Sequence, residues 1–304
     1  MSHSSISHTP ASPAPASKNS CPHIEVGDFR ITAVTAGSYW WDGGAMFGVV
    51  PKTMWAKQQA PDELNRIEAG LNCYVIETGR ERILIDTGGG VRHDERARER
   101  MRLEVPPRLE EVLANHGFEP ESIDIVINTH LHWDHCSGNT VDEIGAGGAG
   151  RIRATLPKAR YVTQRGELEH AREQHPRDAV SYRAVNYEPL IESGQMSLLD
   201  GDVEVVPGVE VRVAPGHNRD MMIVLARSRG ETWCNLSDLA PYAGHVTPTW
   251  VAAFDLYPLE TIATKTNVMQ RAADEAWHCS FGHDPKIAFA RIESVEGKWR
   301  LQQD

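Results

Sequence analysis

Four potential metal ligands lie within six consecutive residues near the middle of the chain. His130, His132, Asp134 and His135 follow a β-branched run that covers residues 123–128. Alternate residues of an extended segment project to the same side, so His130 and His132 can share one metal ion. Asp134 and His135 belong to the next turn and can face a second ion. Imidazole and carboxylate ligands without thiolate favour Zn²⁺ or another borderline divalent ion.

The alternative interpretation of this cluster is a histidine-rich surface loop. The density of ligands disfavours it, because four of the six residues can bind a metal and they directly follow a strand that is expected to be buried. Histidine is also frequent in the chain as a whole, with 14 residues, several of them close to acids.

The H-x-H-x-D-H spacing resembles the signature of the metallo-β-lactamase superfamily. The resemblance implies an α+β fold, an αββα sandwich with a dinuclear metal site at one edge of the two sheets. It also implies further motifs in a fixed order, and all of them occur between residues 86 and 283. They are Asp86 ending Ile83-Leu84-Ile85-Asp86, His217 after Pro215-Gly216, Asp238 ending Cys234-Asn235-Leu236-Ser237-Asp238, and His283 after Phe281-Gly282.

The resemblance gives each of these residues a role. The implied first metal site consists of His130, His132 and His217. The implied second site consists of Asp134, His135 and His283. Asp238 is expected to bridge the two metals, and Asp86 to orient the metal loop without binding a metal itself. The implied cofactor is a pair of Zn²⁺ ions per chain, with manganese, cobalt or iron as alternatives.

Two divalent ions that share a carboxylate would also share a water, whose pKa would fall toward neutrality. The resulting metal-bridging hydroxide would attack a carbonyl or phosphoryl centre, so no serine or cysteine nucleophile is needed. Asp134 and Asp238 are the candidate catalytic carboxylates, since either can take the transferred proton. Cys136 follows the cluster and is interpreted as a small buried residue.

Three stretches resemble the lactonase and organophosphate-hydrolase-like branch of the superfamily: residues 42–52, 71–74 and 255–258. The implied activity is the opening of N-acyl-homoserine lactones or other lactones, and hence quorum quenching, or the cleavage of related esters. A glyoxalase II-like thioesterase and an organophosphate or phosphodiester hydrolase are the alternative enzymes on the same site. A non-hydrolytic metal-binding member is least favoured, because the di-iron branch usually has Glu where this chain has His132.

Two departures, one from the superfamily pattern and one from the lactonase branch, leave the substrate contacts open. The Pro-Gly-His motif continues as Asn218-Arg219-Asp220, in which Arg219 is interpreted either as a contact to a substrate oxygen or as part of a surface ion pair. The lactonases carry a tyrosine three residues after the bridging Asp, where this chain has Pro241. Tyr242 is the candidate catalytic replacement, and its alternative is an ordinary loop tyrosine. His245 follows as a candidate pocket residue.

Apolar side chains are expected to line the substrate pocket, since small-molecule sites are mostly apolar. Met46, Phe47 and Trp133 are the candidates, with Trp40 and Trp41 nearby. Residues 37–48 are too irregular for a strand and too aromatic for a solvated linker. They are expected to form either a buried packing loop or a flap over a ligand site.

The predicted strands around these motifs fall into two groups along the chain, with helices interspersed. Apolar runs bounded by turn residues predict strands within residues 24–36, 71–77, 82–86, 123–128, 159–163, 196–238, 289–292 and 298–301. Helical spacing predicts helices over about 106–117, 166–175 and 259–277, the last with Ile262, Thr266, Met269, Ala273 and Ala276 on one face. Such a pattern favours two sheets flanked by helices.

Composition limits the partners of the chain. Its formal net charge is −11 and no Lys/Arg-rich run offsets this, which disfavours nucleic-acid binding. The sequence contains no stretch of about 18 apolar residues, so no membrane-spanning helix is expected. Five scattered cysteines without a C-x-x-C pair disfavour a disulfide framework, and a cytoplasmic location is expected.

The 304 residues are enough for a sizeable core. Residues 1–20 are rich in Ser, Pro, Ala and His without an apolar core segment, so a disordered tail is expected. Residues 21–304 are predicted to form a single hydrolase domain. The Gly-rich segment 145–150 is not followed by Gly-Lys-Ser/Thr and is interpreted as a flexible insertion. The resemblance also suggests a homodimer that uses the N-terminal region.

Overall fold

The computed structural model of the protein describes residues 21–103, 108–144 and 150–303. The predicted N-terminal tail, Pro106 and Pro107 at the start of a predicted helix, and residues 145–149 of the Gly-rich segment lie outside the described residues. In the described part of the chain, most strands belong to two sheets of seven strands each. All seven strands of the first sheet precede those of the second in the chain, which agrees with the two predicted groups.

The first sheet has the order β1-β2-β3-β4-β5-β8-β9. Its strands are β1 (His23–Val26), β2 (Phe29–Asp42), β3 (Arg66–Glu77), β4 (Arg82–Ile85), β5 (Ile125–Ile127), β8 (Arg160–Gln164) and β9 (Met196–Leu199). The pairs from β1 to β4 are antiparallel, and those from β4 to β9 are parallel. Strands β6 (Thr140–Ile144) and β7 (Gly150–Ala154) form a separate antiparallel pair around the Gly-rich segment.

The second sheet has the order β10 to β16. Its strands are β10 (Val203–Val206), β11 (Val209–Val213), β12 (Met222–Ser228), β13 (Glu231–Asn235), β14 (His278–Ser280), β15 (Ala290–Val295) and β16 (Lys298–Gln303). The β13–β14 pair is parallel and the others are antiparallel. A parallel pair needs a long crossover, and helix α8 (Pro258–Asp274) lies in it.

The other α-helices are short. They are α1 (Gly43–Phe47), α2 (Lys52–Trp55), α3 (Glu95–Met101), α4 (Leu109–Asn115), α5 (Trp133–Cys136), α6 (Arg165–Glu173) and α7 (Glu188–Glu192). Single 3₁₀ turns lie at Pro120–Ser122, Ser137–Asn139, Ala179–Ser181, Ala184–Asn186, Ser237–Leu239 and Ala243–Val246. None of the helices seen in residues 21–103, 108–144 and 150–303 has the length and apolar character needed to cross a lipid bilayer.

Neighbouring side chains of a strand point to opposite faces of its sheet, so the core is divided into three layers. Ile83 and Ile85 of β4 pack in the cluster between the two sheets, whereas Leu84 packs in the cluster on the opposite face of the first sheet. In the second sheet, Val224 of β12 faces the first sheet, and Leu225 packs in a third cluster with Met269 of α8. Helices therefore cover the outer faces of two packed sheets, which confirms the predicted αββα sandwich.

Residues 37–48 differ from their predicted irregular conformation. Strand β2 continues through this stretch to Asp42, and Ser38–Asp42 pair with Arg66–Gly70 of β3. A shift of register between Thr35 and Ser38 allows the pairing to resume, which is how a β-bulge accommodates an extra residue. The strand ends at Asp42, whose side chain accepts a hydrogen bond from the Ala45 amide and caps α1.

The buried face of α8 is also displaced from the predicted one. The buried residues are Thr261, Lys265, Met269 and Ala272, so only Met269 belongs to both sets. The prediction was wrong because it required apolar residues on the inner face. Lys265 is fully buried, and its ammonium group donates to the Trp250 carbonyl at 2.6 Å, which satisfies part of its hydrogen-bonding capacity.

Candidate metal centre

Two parallel strand pairs bring four of the predicted motifs to one edge of the sandwich. In the first sheet, β4 ends just before Asp86, and the neighbouring β5 ends three residues before His130. In the second sheet, the parallel strands β13 and β14 end just before the loops that hold Asp238 and His283. Because the carboxyl ends of parallel neighbours lie at the same edge of a sheet, residues far apart in sequence meet there.

The remaining motif, which contains His217, reaches the same region from the connection between two antiparallel strands. His217 lies in the connection between β11 and β12, and the Met222 amide at the start of β12 donates to the Thr129 carbonyl at 2.9 Å. This hydrogen bond joins the His217 turn of the second sheet to the metal-ligand loop of the first.

The potential ligands assemble into three overlapping groups, in each of which all ligand atoms lie within 4.8 Å of one another. The groups are His130, His132 and His217; Asp134, His135 and His283; and His130, His135 and Asp238. The first two are the same residues that the sequence assigned to two separate ions. The structure therefore brings together the two sets of side chains that the superfamily resemblance implies.

Asp238 lies between the two groups and turns one oxygen toward each. Its Oδ2 is 3.4 Å from Nε2 of His217 and 4.0 Å from Nε2 of His130. Its Oδ1 is 3.3 Å from Nε2 of His135 and 3.2 Å from Nε2 of His283. This is the arrangement that a carboxylate needs in order to contact two ions at once.

Three of the histidines are oriented by acceptors on their outer nitrogen. The Nδ1 atoms of His135, His217 and His283 lie 2.9 Å from Asp86 Oδ2, 3.0 Å from Asp255 Oδ1 and 2.8 Å from the Gly70 carbonyl, respectively. Carboxylates and carbonyls only accept, so each Nδ1 carries a proton and each Nε2 of a neutral ring presents a lone pair to the centre.

The nitrogen and oxygen lone pairs that face the centre show whether these residues suit a metal ion. Nε2 of His135 and Nε2 of His283 are only 3.2 Å apart, although neither neutral ring can donate to the other. Nε2 of His130 and Oδ1 of Asp238 are buried and have no hydrogen-bond partner among the described residues. Converging acceptors without donors repel one another unless cations lie between them, so the residues fit a pair of divalent ions.

Without bound ions, protonated histidines would supply part of this positive charge. Burial lowers the pKa of His130 well below its ordinary value, and the charge of His135 lowers it further, so His130 is held neutral and ready to bind a metal. Burial opposes the charged forms of His135 and Asp238 as well. Attraction to opposite charges nevertheless outweighs burial: Asp238 raises the pKa of His135, and His283 and His135 lower the pKa of Asp238.

A pocket of about 350 Å³ opens onto this centre. That volume is within the range of small-molecule sites. Asp134, Asp238, His132, His217 and His283 form its metal-facing part. The rest of its wall includes the apolar side chains of Trp41, Met46, Met101, Trp133, Val180 and Phe254.

The structure brings only some of the predicted substrate contacts to this pocket. Met46 and Trp133 line it. Phe47 does not; it is fully buried and stacks on Trp55 and His245. The prediction treated these residues as one apolar stretch, but the turn of α1 directs neighbouring side chains to different sides.

Three polar predictions are corrected in the same way. The Tyr242 hydroxyl donates to the Glu68 carbonyl at 3.1 Å, and the ring lies in the core outside the pocket wall. His245 contacts the Met46 carbonyl at 2.9 Å through Nε2, and burial lowers its pKa to about 3. Arg219 is exposed and stacks over Tyr257 with its guanidinium 5.2 Å from the ring centroid.

Sequence reasoning missed two residues that contact the ligands. Asp255 supports His217 and also accepts from the Thr261 hydroxyl at 2.8 Å. It belongs to one of the stretches that resemble the lactonase branch, which was the only available signal. The Tyr39 hydroxyl donates to Asp134 Oδ2 at 2.8 Å from the wall of the pocket. Tyr39 lies in the stretch predicted to be irregular, so its direction was not predictable.

Comparison with known proteins agrees with this geometry. Residues 68–141, which include Asp86 and the H-x-H-x-D-H cluster, match the model of the metallo-beta-lactamase superfamily. An N-acyl homoserine lactonase of Bacillus cereus is 28% identical over 195 residues, which cover 57% of this chain and 68% of the relative. An atrochrysone carboxyl ACP thioesterase of Claviceps purpurea is 27% identical over 235 residues, covering 77% of this chain and 55% of the relative.

Solved structures resemble the whole described fold. A probable metal-dependent hydrolase from Staphylococcus aureus superposes with a TM-score of 0.82 at 27% identity, covering 92% of this chain and 99% of that chain. AidC, a dizinc quorum-quenching lactonase, superposes with a TM-score of 0.73 at 17% identity, covering 93% and 97%. The chain therefore has the metallo-β-lactamase fold, and its residues 68–141 match the superfamily model. The relatives and solved structures named above are hydrolases.

Proposed function

We propose that this protein is a metal-dependent hydrolase that opens lactones of the N-acyl-homoserine lactone type or cleaves related esters. The observation that carries the proposal is the position of Asp238, which faces two separate groups of ligands at the base of a mostly apolar pocket. The relatives named N-acyl homoserine lactonase support the choice of lactones over other acyl compounds.

His130, His132 and His217 would hold one ion, Asp134, His135 and His283 would hold the other, and Asp238 would contact both. The nitrogen and carboxylate ligands suit Zn²⁺, with manganese, cobalt or iron as alternatives. When bound, two such ions supply an activated water and polarise the oxygen of the scissile carbonyl.

Two carboxylates of the chain are available for the transferred proton. The side chains of Asp134 and Asp238 keep 13% and 11% of their surface exposed, whereas those of His135, His217 and His283 keep 3% or less. The two carboxylates therefore expose more of their surface to the pocket than these three imidazoles do. The Tyr39 hydroxyl holds Oδ2 of Asp134 and so fixes the direction of this carboxylate.

The apolar part of the wall would orient the substrate. Trp41, Met46 and Phe254 could pack against an acyl chain, since burying each methylene contributes about 0.8 kcal/mol. Trp133 is held in position by an edge contact with Tyr39, with the ring centroids 5.2 Å apart. The reacting carbonyl would then lie at the polar base of the pocket, where Asp134 and Asp238 are exposed.

A thioesterase is the second candidate function. The similarity to an ACP thioesterase favours it, because that relative matches a larger share of this chain than the lactonase does. The carboxylates and apolar wall described above would serve an acyl thioester as well as a lactone, so the two functions differ in the leaving group that the pocket accepts.

A hydrolysis panel on metal-loaded protein tests both functions. It contains short- and long-chain N-acyl-homoserine lactones, aryl esters, paraoxon, S-lactoylglutathione, an acyl thioester and bis-p-nitrophenyl phosphate. We expect the lactones to give the highest kcat/KM. Turnover restricted to S-lactoylglutathione and the phosphodiester would overturn the lactonase proposal. The variants His217→Ala and Asp238→Ala should lose activity, and full activity in either would contradict the assigned centre.

A further inference from the structure

Three arginines line the pocket at some distance in sequence from the metal ligands. Arg100 lies in the last turn of α3, and Arg177 and Arg183 lie in the connection between α6 and α7. No lysine lies in the pocket wall as the described residues form it. The basic side of the pocket therefore consists of guanidinium groups, which bind carboxylates through paired N–H donors.

Each guanidinium is held in place by a contact that leaves its charge unpaired. Arg100 lies 6.0 Å from the centroid of the Trp41 ring, and Arg183 lies 5.6 Å from that of Trp133. One Nη atom of Arg183 also donates to the Arg92 carbonyl at 2.9 Å, and one Nη atom of Arg177 donates to the Ala253 carbonyl.

Within the described residues, none of the three arginines forms an ion pair with a carboxylate. Elsewhere the chain pairs many of its arginines: Arg66 with Asp62, Arg165 with Asp200, and Arg172 with Glu188. A guanidinium has five N–H donors, and the contacts at the pocket use at most one or two of them. The three side chains are thus partly fixed and still have donors available for a ligand.

The carboxylates of the pocket wall are already engaged by other partners. Asp134 and Asp238 face the metal centre, and Asp178 lies 2.8 Å from Nε2 of His170. The pocket therefore has a positive side although the chain as a whole has a net charge of −11. A basic side of a pocket in an acidic protein favours anionic ligands there, because most of the remaining surface repels them.

We propose that Arg100, Arg177 and Arg183 form a subsite for a carboxylate on the acyl part of the substrate, remote from the scissile carbonyl. This inference rests on the proposed function and narrows it. The preferred substrates would be lactones or esters whose acyl chain carries a terminal carboxylate, with the apolar wall contacting the methylenes between the two ends.

The test compares substrates that differ only in the charge at the end of the chain. One is the mono-p-nitrophenyl ester of suberic acid, and the other is the same ester with the free carboxylate replaced by a carboxamide. Both have the same length and a polar end, so a difference in kcat/KM reports the charge. A hydrogen-bonded charge contributes about 1.5 kcal/mol, so we expect about a tenfold preference for the carboxylate.

The variants Arg183→Gln and Arg100→Gln should each reduce this preference, the ratio of kcat/KM for the carboxylate to that for the carboxamide, about three- to tenfold. Arg100 is exposed, so its variant is expected to fold even if the partly buried Arg183 is needed for stability. Arg96→Gln is the matched control, because Arg96 is exposed on the same helix but does not line the pocket. It should keep the full preference. The preference of the wild type should also fall as ionic strength rises.

Equilibrium binding separates this inference from the proposed function. Suberic acid monoanilide and its carboxamide analogue are titrated into metal-loaded protein while tryptophan fluorescence is followed, since Trp41 and Trp133 line the pocket. Tighter binding of the carboxylate that is lost in Arg100→Gln would support the subsite even if no ester were hydrolysed, and the absence of hydrolysis would then count against the function alone. Hydrolysis of both esters with equal kcat/KM, together with equal affinities for the two anilides, would overturn the subsite and leave the hydrolase intact.

Discussion

The substitution Asp255→Asn tests how the centre divides its two ions. Oδ1 of Asp255 lies 3.0 Å from Nδ1 of His217, and the two side chains are 2% and 3% exposed. Asn can still accept the Nδ1 proton through its amide oxygen and can keep the contact to the Thr261 hydroxyl. The substitution therefore removes the negative charge behind the ligand and leaves its direction nearly unchanged.

The size of the effect follows from that charge. A carboxylate behind a metal-binding imidazole makes the ring a stronger ligand, and its removal typically lowers metal affinity about 10- to 100-fold. This corresponds to about 1.4–2.8 kcal/mol. Because His217 belongs to the group with His130 and His132, only one of two bound ions should be affected. Zn²⁺ titration of metal-free protein against a chromophoric chelator, fitted with two dissociation constants, measures both.

The His170–Asp178 pair supplies a matched control. Asp178 lies 2.8 Å from Nε2 of His170, but His170 belongs to none of the ligand groups. Asp178→Asn should leave both dissociation constants within about twofold of the wild type. The reasoning would be refuted if Asp255→Asn kept both affinities, if it weakened both ions equally, or if Asp178→Asn weakened one as strongly.

Four further predictions follow from other contacts. Tyr39→Phe removes the hydroxyl that holds Asp134 and should weaken the other ion about tenfold in the same titration, and an unchanged affinity would show that Asp134 needs no such support. Tyr242→Phe should keep kcat/KM within about threefold and lower the free energy of unfolding by about 1 kcal/mol in urea, since its hydroxyl donates to Glu68; a loss of activity above 100-fold would restore a catalytic role for Tyr242. Met46→Ala should lower kcat/KM for long-chain lactones about tenfold and for short-chain ones less, with the exposed Val49→Ala as control, and equal effects on both chain lengths would argue against a chain contact. Burial lowers the pKa of Lys265 from 10.5 to about 8, so between these values the unfolded chain binds more protons, and the wild type should gain about 3 kcal/mol of stability relative to Lys265→Met as pH rises from 7 to 11; a difference independent of pH would contradict this.

The candidate metal ligands could be named from the sequence because the superfamily resemblance gives their order, and the spacing of residues 130–135 marks the cluster locally. His130 and His132 alternate after a buried strand, and Asp238 and His283 follow strands that pair in parallel. The apolar runs predicted strands that end near Asp86, His130 and Asp238, whereas the strand before His283 was not predicted.

The substrate side was less predictable, because it depends on side-chain direction in irregular segments. Tyr242 and Pro241 are adjacent in sequence, but the 3₁₀ turn that begins at Ala243 leaves Tyr242 facing the core instead of the pocket. Tyr39 reaches Asp134 only because β2 resumes its pairing after a bulge, which the composition of that stretch did not reveal. Arg100 lines the same pocket as Arg177 and Arg183 through tertiary packing, so no local sequence pattern connected it with them.

The candidate ligands come from both sheets, so bound ions would also affect how firmly the sheets are packed. His130, His132 and His135 belong to a loop of the first sheet, whereas His217, Asp238 and His283 belong to the second. Ions held by both sets would link the sheets to each other, and the free energy of metal binding would add to the free energy that keeps them packed. At a free ion concentration of a thousand times Kd, this linkage amounts to about 4 kcal/mol for one ion. A substitution that shifts one sheet relative to the other would therefore reduce metal affinity even if it lies far from the ligands. Conversely, removal of the ions by a chelator would lower the stability of the core between the sheets.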